Sequence, residues 1–230
     1  MDELDINYFI DDGFPTALFE PDGLIDFQIA WKWQKDWQKN LLESSTGPQA
    51  VWLLQHLDCY TLGRGAKKSN ILFDLKKSDF ELYRINRGGE VTYHSPGQLV
   101  AYLVFDLRIY ETDLNWYLRK LENVLIDVLK ELGLDGERSK GLTGVWCNGY
   151  KVASIGIGCR RWITQHGLAL NINCDLSGFE AIIPCGLKDQ RIGKLDSWIP
   201  GLQIIDVQPL MKKYLKKHFG LLWIRQKTYS

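Results

Sequence analysis

Long apolar runs are missing from this sequence. The longest, Leu99 to Phe105, falls far short of the roughly 20 residues that span a bilayer as a helix. The N-terminus carries Asp2, Glu3, Asp5, Asp11 and Asp12 instead of a basic region followed by an apolar one, which reads as no secretory leader. Net charge is missing too: 28 Lys and Arg balance 28 Asp and Glu, leaving no basic footprint for nucleic acid. The five cysteines form an odd set without CxxC spacing, which fits neither a disulfide framework nor a zinc knuckle. Four histidines without an HExxH pair argue against a metal site, although His56 and Cys59 stand three apart. There is no GxxxxGK[ST] loop and no GxSxG, and Gly156-Ile157-Gly158 lacks the third glycine of a dinucleotide fingerprint. No repeat or linker breaks the chain. The expectation is one soluble, cytoplasmic domain over residues 1–230, with a reducing environment and no membrane partner.

What is present reads as α+β with a mixed, largely antiparallel sheet flanked by helices. The spacing of Ala30, Trp33, Trp37 and Leu41 predicts a helix over 25–42. Residues 50–60 and 81–107 read as strands, with Ser95-Pro96-Gly97-Gln98 as a type II turn before the apolar strand. Thr112 or Asp113 caps a helix with Leu114, Leu118, Leu121, Leu125, Val128 and Leu132 on one face, closed by Gly133. Asn148-Gly149 joins a hairpin of 144–147 and 150–158, because a type I′ turn needs positive φ twice. Strands are expected over 167–174 and 179–186, and a helix over 208–219.

Three segments could carry chemistry. Arg87-Gly88-Gly89-Glu90-Val91-Thr92-Tyr93-His94 sets two glycines inside strand-like sequence, either a bulged hairpin or an opening where a ligand reaches the backbone. Lys151 follows the hairpin turn and, by strict alternation, shares a face with Ala153, Ile155 and Ile157. It is therefore either a rim lysine or a desolvated functional one. Cys185 ends an apolar segment at Pro184-Cys185-Gly186, where a thiol is either exposed as a nucleophile or half-buried and structural.

Taken in order, these segments resemble the lipoyl(octanoyl) transferase family, within the biotin/lipoate ligase fold. The likeness rests on Thr61-Leu62-Gly63-Arg64, Arg87 to His94 with Pro96-Gly97-Gln98, Lys151 to Gly156, His166-Gly-Leu-Ala-Leu-Asn171 and Pro184-Cys185-Gly186. The resemblance implies transfer of an octanoyl group from acyl carrier protein to a lysine of a lipoyl domain. Such domains belong to 2-oxoacid dehydrogenase complexes and the glycine cleavage H protein. It implies Cys185 as acyl-thioester nucleophile and Lys151 as the base that lowers its pKa. Arg87, Gly88, Gly89, Glu90, Val91, Thr92, Tyr93, His94, Ser154, Ile155, Gly156, Gly167, Leu168 and Ala169 would bind substrate. It implies no cofactor, neither ATP nor metal, and a monomer. The chain departs from the family pattern at Ser95, usually glycine, and at Arg191-Ile192-Gly193-Lys194-Leu195, where a Val-Thr-Ser-like segment is usual. Two other readings stay open: an ATP-dependent lipoate or biotin ligase of the same fold, and a silent binding module for acyl carrier protein or lipoyl domains. Acidic protein partners would meet basic residues either in the tail, from Lys212 to Lys227, or at Arg160 and Arg161.

Overall fold

The computed structural model describes residues 13–44, 46–74, 80–184 and 190–225. A short strand β1 (Phe14–Phe19) and a two-residue β2 (Leu24–Ile25) precede helix α1 (Phe27–Glu43). The strands β3 (Gln49–His56), β4 (Cys59–Leu62), β5 (Leu82–Arg84), β6 (Val91–His94) and β7 (Gln98–Val104) follow, then helix α2 (Leu114–Glu131). After β8 (Gly136–Glu137) and β9 (Val145–Cys147) come the long strands β10 (Tyr150–Arg160) and β11 (Ile163–Asn171). Helix α3 (Ile204–Phe219) and β12 (Leu221–Arg225) end the described chain. The large mixed sheet has the order β12-β1-β3-β7-β11-β10-β9-β8, with β2 beside β3; β5-β4-β6 form a second, small sheet. Pairing is parallel at the β12-β1-β3 end and antiparallel from β3 to β8. The architecture is α+β, as the sequence indicates.

Helices α2 and α3 cover one face of the large sheet, setting Leu121, Leu125 and Met211 over Leu53, Leu99 and Leu103; α1 covers the other, over Trp52, Val100 and Tyr102. Helix α1 begins two residues later than the spacing predicts, because Asp26 caps it by accepting from the Gln28 and Ile29 N–H groups. Its buried stripe also differs: Phe27, Ala30, Gln34, Gln38 and Leu41 face the sheet, with Trp33 and Trp37 half-buried beside it. The two glutamines are inside because they satisfy sheet backbone. Gln38 donates to the Ile163 carbonyl at 2.8 Å, and Gln34 accepts the His166 N–H at 2.8 Å.

Asp113 caps α2, and its buried face is Tyr117, Leu121, Val124, Leu125, Val128 and Leu129, leaving Leu114 exposed in the first turn. Helix α3 starts four residues earlier than 208, at a capping box of Gln203 and Asp206. The expected strand over 179–186 is not a strand as far as it is described. Residues 177–181 form a 3-10 turn, and Ile182 makes a single bridge to Ile71. The turn is pinned because Tyr60 donates its hydroxyl to the Gly178 carbonyl at 2.8 Å and Phe179 packs edge-on against Tyr93. Neither β1 nor β12 is marked in the sequence; they find each other across the whole chain. The turn at Ser95-Pro96-Gly97-Gln98 forms as expected, with Gln98 N–H on the Ser95 carbonyl and Gly97 at φ +85°.

Candidate active site

The α1 face of the large sheet and the small sheet enclose a cavity of about 210 Å³, far more than the ~10–15 Å³ that holds one water. Arg87, Gly89, Glu90, Val91, Thr92 and His94 form one wall, and Lys151, Ser154, Ile155, Gly156, Gly167, Leu168 and Ala169 form the other. Two residues of the expected set stand elsewhere. Tyr93 alternates away from Thr92 and His94 into the small cluster with Tyr60 and Phe179, its hydroxyl donating to Asp58 at 2.5 Å. Gly88 lies behind the wall, its N–H spent on the Ile157 carbonyl at 2.8 Å. Phe27, Tyr102, Leu142 and Thr143 line the cavity without having been singled out in the sequence; the first two fall inside a segment read as helix and one read as strand.

Arg87 is buried, not on the surface. Its guanidinium donates to the Thr61 carbonyl at 2.8 Å, to the Thr61 hydroxyl at 2.9 Å and to the Gly88 carbonyl at 2.9 Å. Thr61, the first residue of Thr61-Leu62-Gly63-Arg64, therefore fixes the cation in the cavity wall. Around it stand His94 and His166, both held neutral with pKa pushed down to about 3, chiefly by burial, then by His56 and more weakly Arg87 for His94, and by Arg87 for His166.

His94 is also fixed in tautomer by a chain of buried amides. Asn171 donates to the Gly193 carbonyl at 2.9 Å, so its Oδ1 accepts from Gln98 Nε2 at 2.8 Å, and Gln98 Oε1 faces His94 Nδ1 at 2.7 Å. A carboxamide oxygen only accepts, so His94 carries its proton on Nδ1 and keeps a lone pair on Nε2. Both ring nitrogens of His56 are engaged within the protein: Nδ1 donates to the Ile25 carbonyl at 2.7 Å and Nε2 faces the Tyr102 hydroxyl at 2.8 Å.

Lys151 is buried at 3% exposure, which removes the rim reading. The hairpin forms as expected, with Tyr150 opposite Cys147 and Lys151 opposite Trp146, but a bulge between Lys151 and Ala153 shifts the register. Alternation slips by one residue there. Lys151 consequently faces the cavity with Ser154 and Gly156, while Ala153 and Ile157 belong to the core on the opposite face. Its Nζ lies 5.2 Å from the centre of the Trp146 ring. Room for the side chain comes from Gly144, at φ +138°, where a Cβ would stand 2.7 Å from Lys151 Cε. The Gly144 N–H is held by Glu122, itself buried and paired with Arg119 and Arg138 at 2.5 and 2.6 Å.

Cys185, with 186–189, lies outside the described residues. The chain on either side of it is described. Pro184 lines the same cavity as Lys151. On the other side Arg191 accepts the Lys151 N–H at 2.8 Å, Gly193 donates to the Lys151 carbonyl at 3.0 Å, and Ile192 forms a parallel bridge with Lys151. The departing segment Arg191-Ile192-Gly193 thus clamps the Lys151 backbone. Burial raises the pKa of the four described cysteines, to about 12 for Cys59 and Cys174, so none of them is ready to form a thiolate.

The family model of the lipoyl protein ligase A/B catalytic domain matches residues 26–218. An octanoyltransferase of Prochlorococcus marinus is 65% identical over 97% of this chain and 100% of its own length. Another, of Parasynechococcus marenigrum, is 55% identical over 93% and 94%. Among solved structures, a lipoate-protein ligase A bound with ATP superposes with a TM-score of 0.77 at 15% identity, covering 95% of this chain and 90% of that one. A bipartite lipoate protein ligase of Thermoplasma acidophilum gives 0.76 at 16%, covering 95% and 88%; at such identities the likeness concerns the fold. The chain belongs to the lipoyl protein ligase A/B catalytic-domain family, and its identity to octanoyltransferases over nearly its full length makes it an acyltransferase of that kind.

Proposed function

We propose that the octanoyl group comes from acyl carrier protein, is held as a thioester on Cys185, and passes to the lysine of a lipoyl domain. The observation that carries this reading is the anchoring of both ends of the Cys185 segment beside one buried lysine, Lys151, at the cavity. Lys151 takes the thiol proton, and the thiolate attacks the carbonyl of the incoming thioester. The carrier thiolate leaves and is protonated. In the second half the acceptor amine attacks the Cys185 thioester, an amide forms as the C–S bond breaks, and the amine proton passes through Lys151 to the departing Cys185 thiolate, which restores the thiol. Exchange of one thioester for another is nearly balanced, so the first half needs no ATP and no metal.

The walls suit both halves. Phe27, Ile85, Val100 and Leu168 offer apolar surface to an alkyl chain, each buried methylene contributing about 0.8 kcal/mol. Arg87 and the neutral His94 offer a donor and an acceptor to the polar arm. Lipoyl domains of 2-oxoacid dehydrogenase complexes and the glycine cleavage H protein are the acceptors this chemistry fits, and the cytoplasm is the compartment that holds them with the carrier. Among the described residues no helix is long and apolar enough to cross a membrane.

Intact-protein mass after incubation with octanoyl-acyl carrier protein, without ATP, tests the reading. Wild type is expected to gain a hydroxylamine-labile octanoyl adduct and Cys185→Ala none. ATP-dependent transfer from free octanoate or lipoate without an adduct would overturn it in favour of ligase chemistry.

A further inference from the structure

The two ends of β10 are the same kind of turn built from opposite materials. Both are two-residue hairpin loops with positive φ at both central residues, the type I′ arrangement. At the start these are Asn148 (φ +50°) and Gly149 (φ +79°), the residues that tolerate it best. At the far end, between the paired Arg160 and Ile163, they are Arg161 (φ +48°) and Trp162 (φ +66°). A left-handed backbone strains a side chain with a full Cβ substituent, and such strain collects at functional positions. Nothing in the described packing offsets it: Arg160, Arg161 and Trp162 are all exposed. At the tip Leu107 donates its N–H to the Trp162 carbonyl, a bond open to any residue.

Among the described residues, the charges at this tip that form no ion pair have one sign. Among the described residues neither Arg160 nor Arg161 forms an ion pair, and Arg64 is tied to the same strand through Arg87, whose neighbour Gly88 donates to the Ile157 carbonyl three residues before Arg160. The nearby carboxylate, Asp106, is already taken by Arg108 at 2.5 Å. The tail lysines stand in contrast, since Lys212, Lys213 and Lys217 are paired with Glu20, Glu131 and Asp127. The basic tip also leads to the cavity. Arg64 donates its N–H to the carbonyl of Arg87, and Arg160 lies four residues along β10 from Gly156, about 13 Å at 3.3 Å per residue.

We propose that the Arg160-Arg161-Trp162 tip, with Arg64, is the docking surface for the acyl donor, an acidic carrier protein whose arm is attached through a phosphodiester. The inference rests on the donor named above. Guanidinium groups pair with phosphodiester and carboxylate oxygens bidentately, and an exposed indole supplies the apolar centre of a small interface. A folded carrier cannot enter the cavity, so it docks outside at a distance its arm spans. The acceptor lysine carries no phosphodiester, which assigns the tip to the donor.

Replacing the tip by the residues of the other turn, in Arg161→Asn/Trp162→Gly, separates docking from folding. Relief of strain is expected to raise Tm by about 4 °C or more. Binding of unacylated holo-carrier is expected to weaken about tenfold or more, with a smaller salt dependence. The rate with S-octanoyl-pantetheine, and KM for a lipoyl domain, stay unchanged. Arg160→Glu, which leaves the turn alone, is expected to weaken carrier binding similarly. A higher Tm with unchanged carrier binding would overturn the proposal, as would a rise in acceptor KM alone. Carrier binding that is lost in the variants of a chain showing no acyl transfer at all would leave the docking surface standing and sink the donor chemistry instead.

Discussion

Lys151 shows at the scale of one residue how the site is made. A lysine this well buried has its amine in the cavity wall and not in bulk solvent. Here its side chain runs past Gly144 to the Trp146 ring, and its backbone is clamped on both sides by Arg191 and Gly193. In the proposed reaction, removing the amine takes away the proton acceptor and leaves the other cavity-lining residues in place. Lys151→Ala is therefore expected to slow self-acylation by about 10²-fold or more while carrier binding stays within about twofold. Quenched-flow acylation rates beside a binding isotherm check this; an unchanged acylation rate would remove Lys151 from the chemistry. Arg87 makes the complementary case. Thr61→Val takes one acceptor from a buried guanidinium, a loss of about 1.5–3 kcal/mol for a charged hydrogen bond, to be read as a lower urea midpoint with the m-value unchanged.

At the scale of elements, β10 joins everything the site needs: a hairpin turn, a bulge that turns Lys151 into the cavity, and the wall residues Ser154 to Gly156. The bulge is useful only if Gly144 stays open. A Cβ there would meet the Ala153 carbonyl at 2.6 Å and Lys151 Cε at 2.7 Å, on a backbone at φ +138°. Gly144→Ala is expected to lower Tm by several degrees and to slow acylation. In the Lys151→Ala background the same substitution should cost less stability, because one of its two clashes is gone; a thermal double-mutant cycle measures the difference.

How much of this was legible follows from range. The Asn148-Gly149 turn, the Ser95–Gln98 turn and the Asp113 cap are decided within four residues, and the sequence shows them. The bulge is set by how β9 pairs, so strict alternation put Lys151 on the wrong face. Gln34 and Gln38 are buried because strand β11, more than a hundred residues away, needs their amides. The parallel pairing of β1 with β12 leaves no local mark at all. Within the site, the cavity walls were legible except Tyr93 and Gly88, which alternation and one backbone bond turn away.

At the scale of the whole molecule, three histidines join the two sheets. His56 stands on β3, His166 on β11 and His94 on β6 of the small sheet, with His56 and His94 ring centroids 5.6 Å apart. Burial is the first cause in lowering each pKa, to about 4 for His56 and about 3 for His94 and His166. The charged groups facing them, Arg87 for His94 and His166, push the same way; for His56 the opposing influences of Ile25 and Asp26 are smaller. In the unfolded chain each histidine binds its proton near pH 6.5, so between that pH and about 4 the unfolded state holds three protons that the folded state refuses. Stability is therefore full above pH 6.5 and falls as pH drops, by about 1.4 kcal/mol per pH unit for each histidine. Acid should loosen the small sheet from the large one and open the cavity between them. Urea midpoints between pH 7 and 4.5 are expected to fall steeply, with an uptake of close to three protons on unfolding beyond that of the carboxylates. His56→Gln keeps hydrogen-bonding groups at that place and removes one proton from the count, so its slope should be shallower by about a third. An identical slope in that variant would mean that acid acts elsewhere than on this cluster.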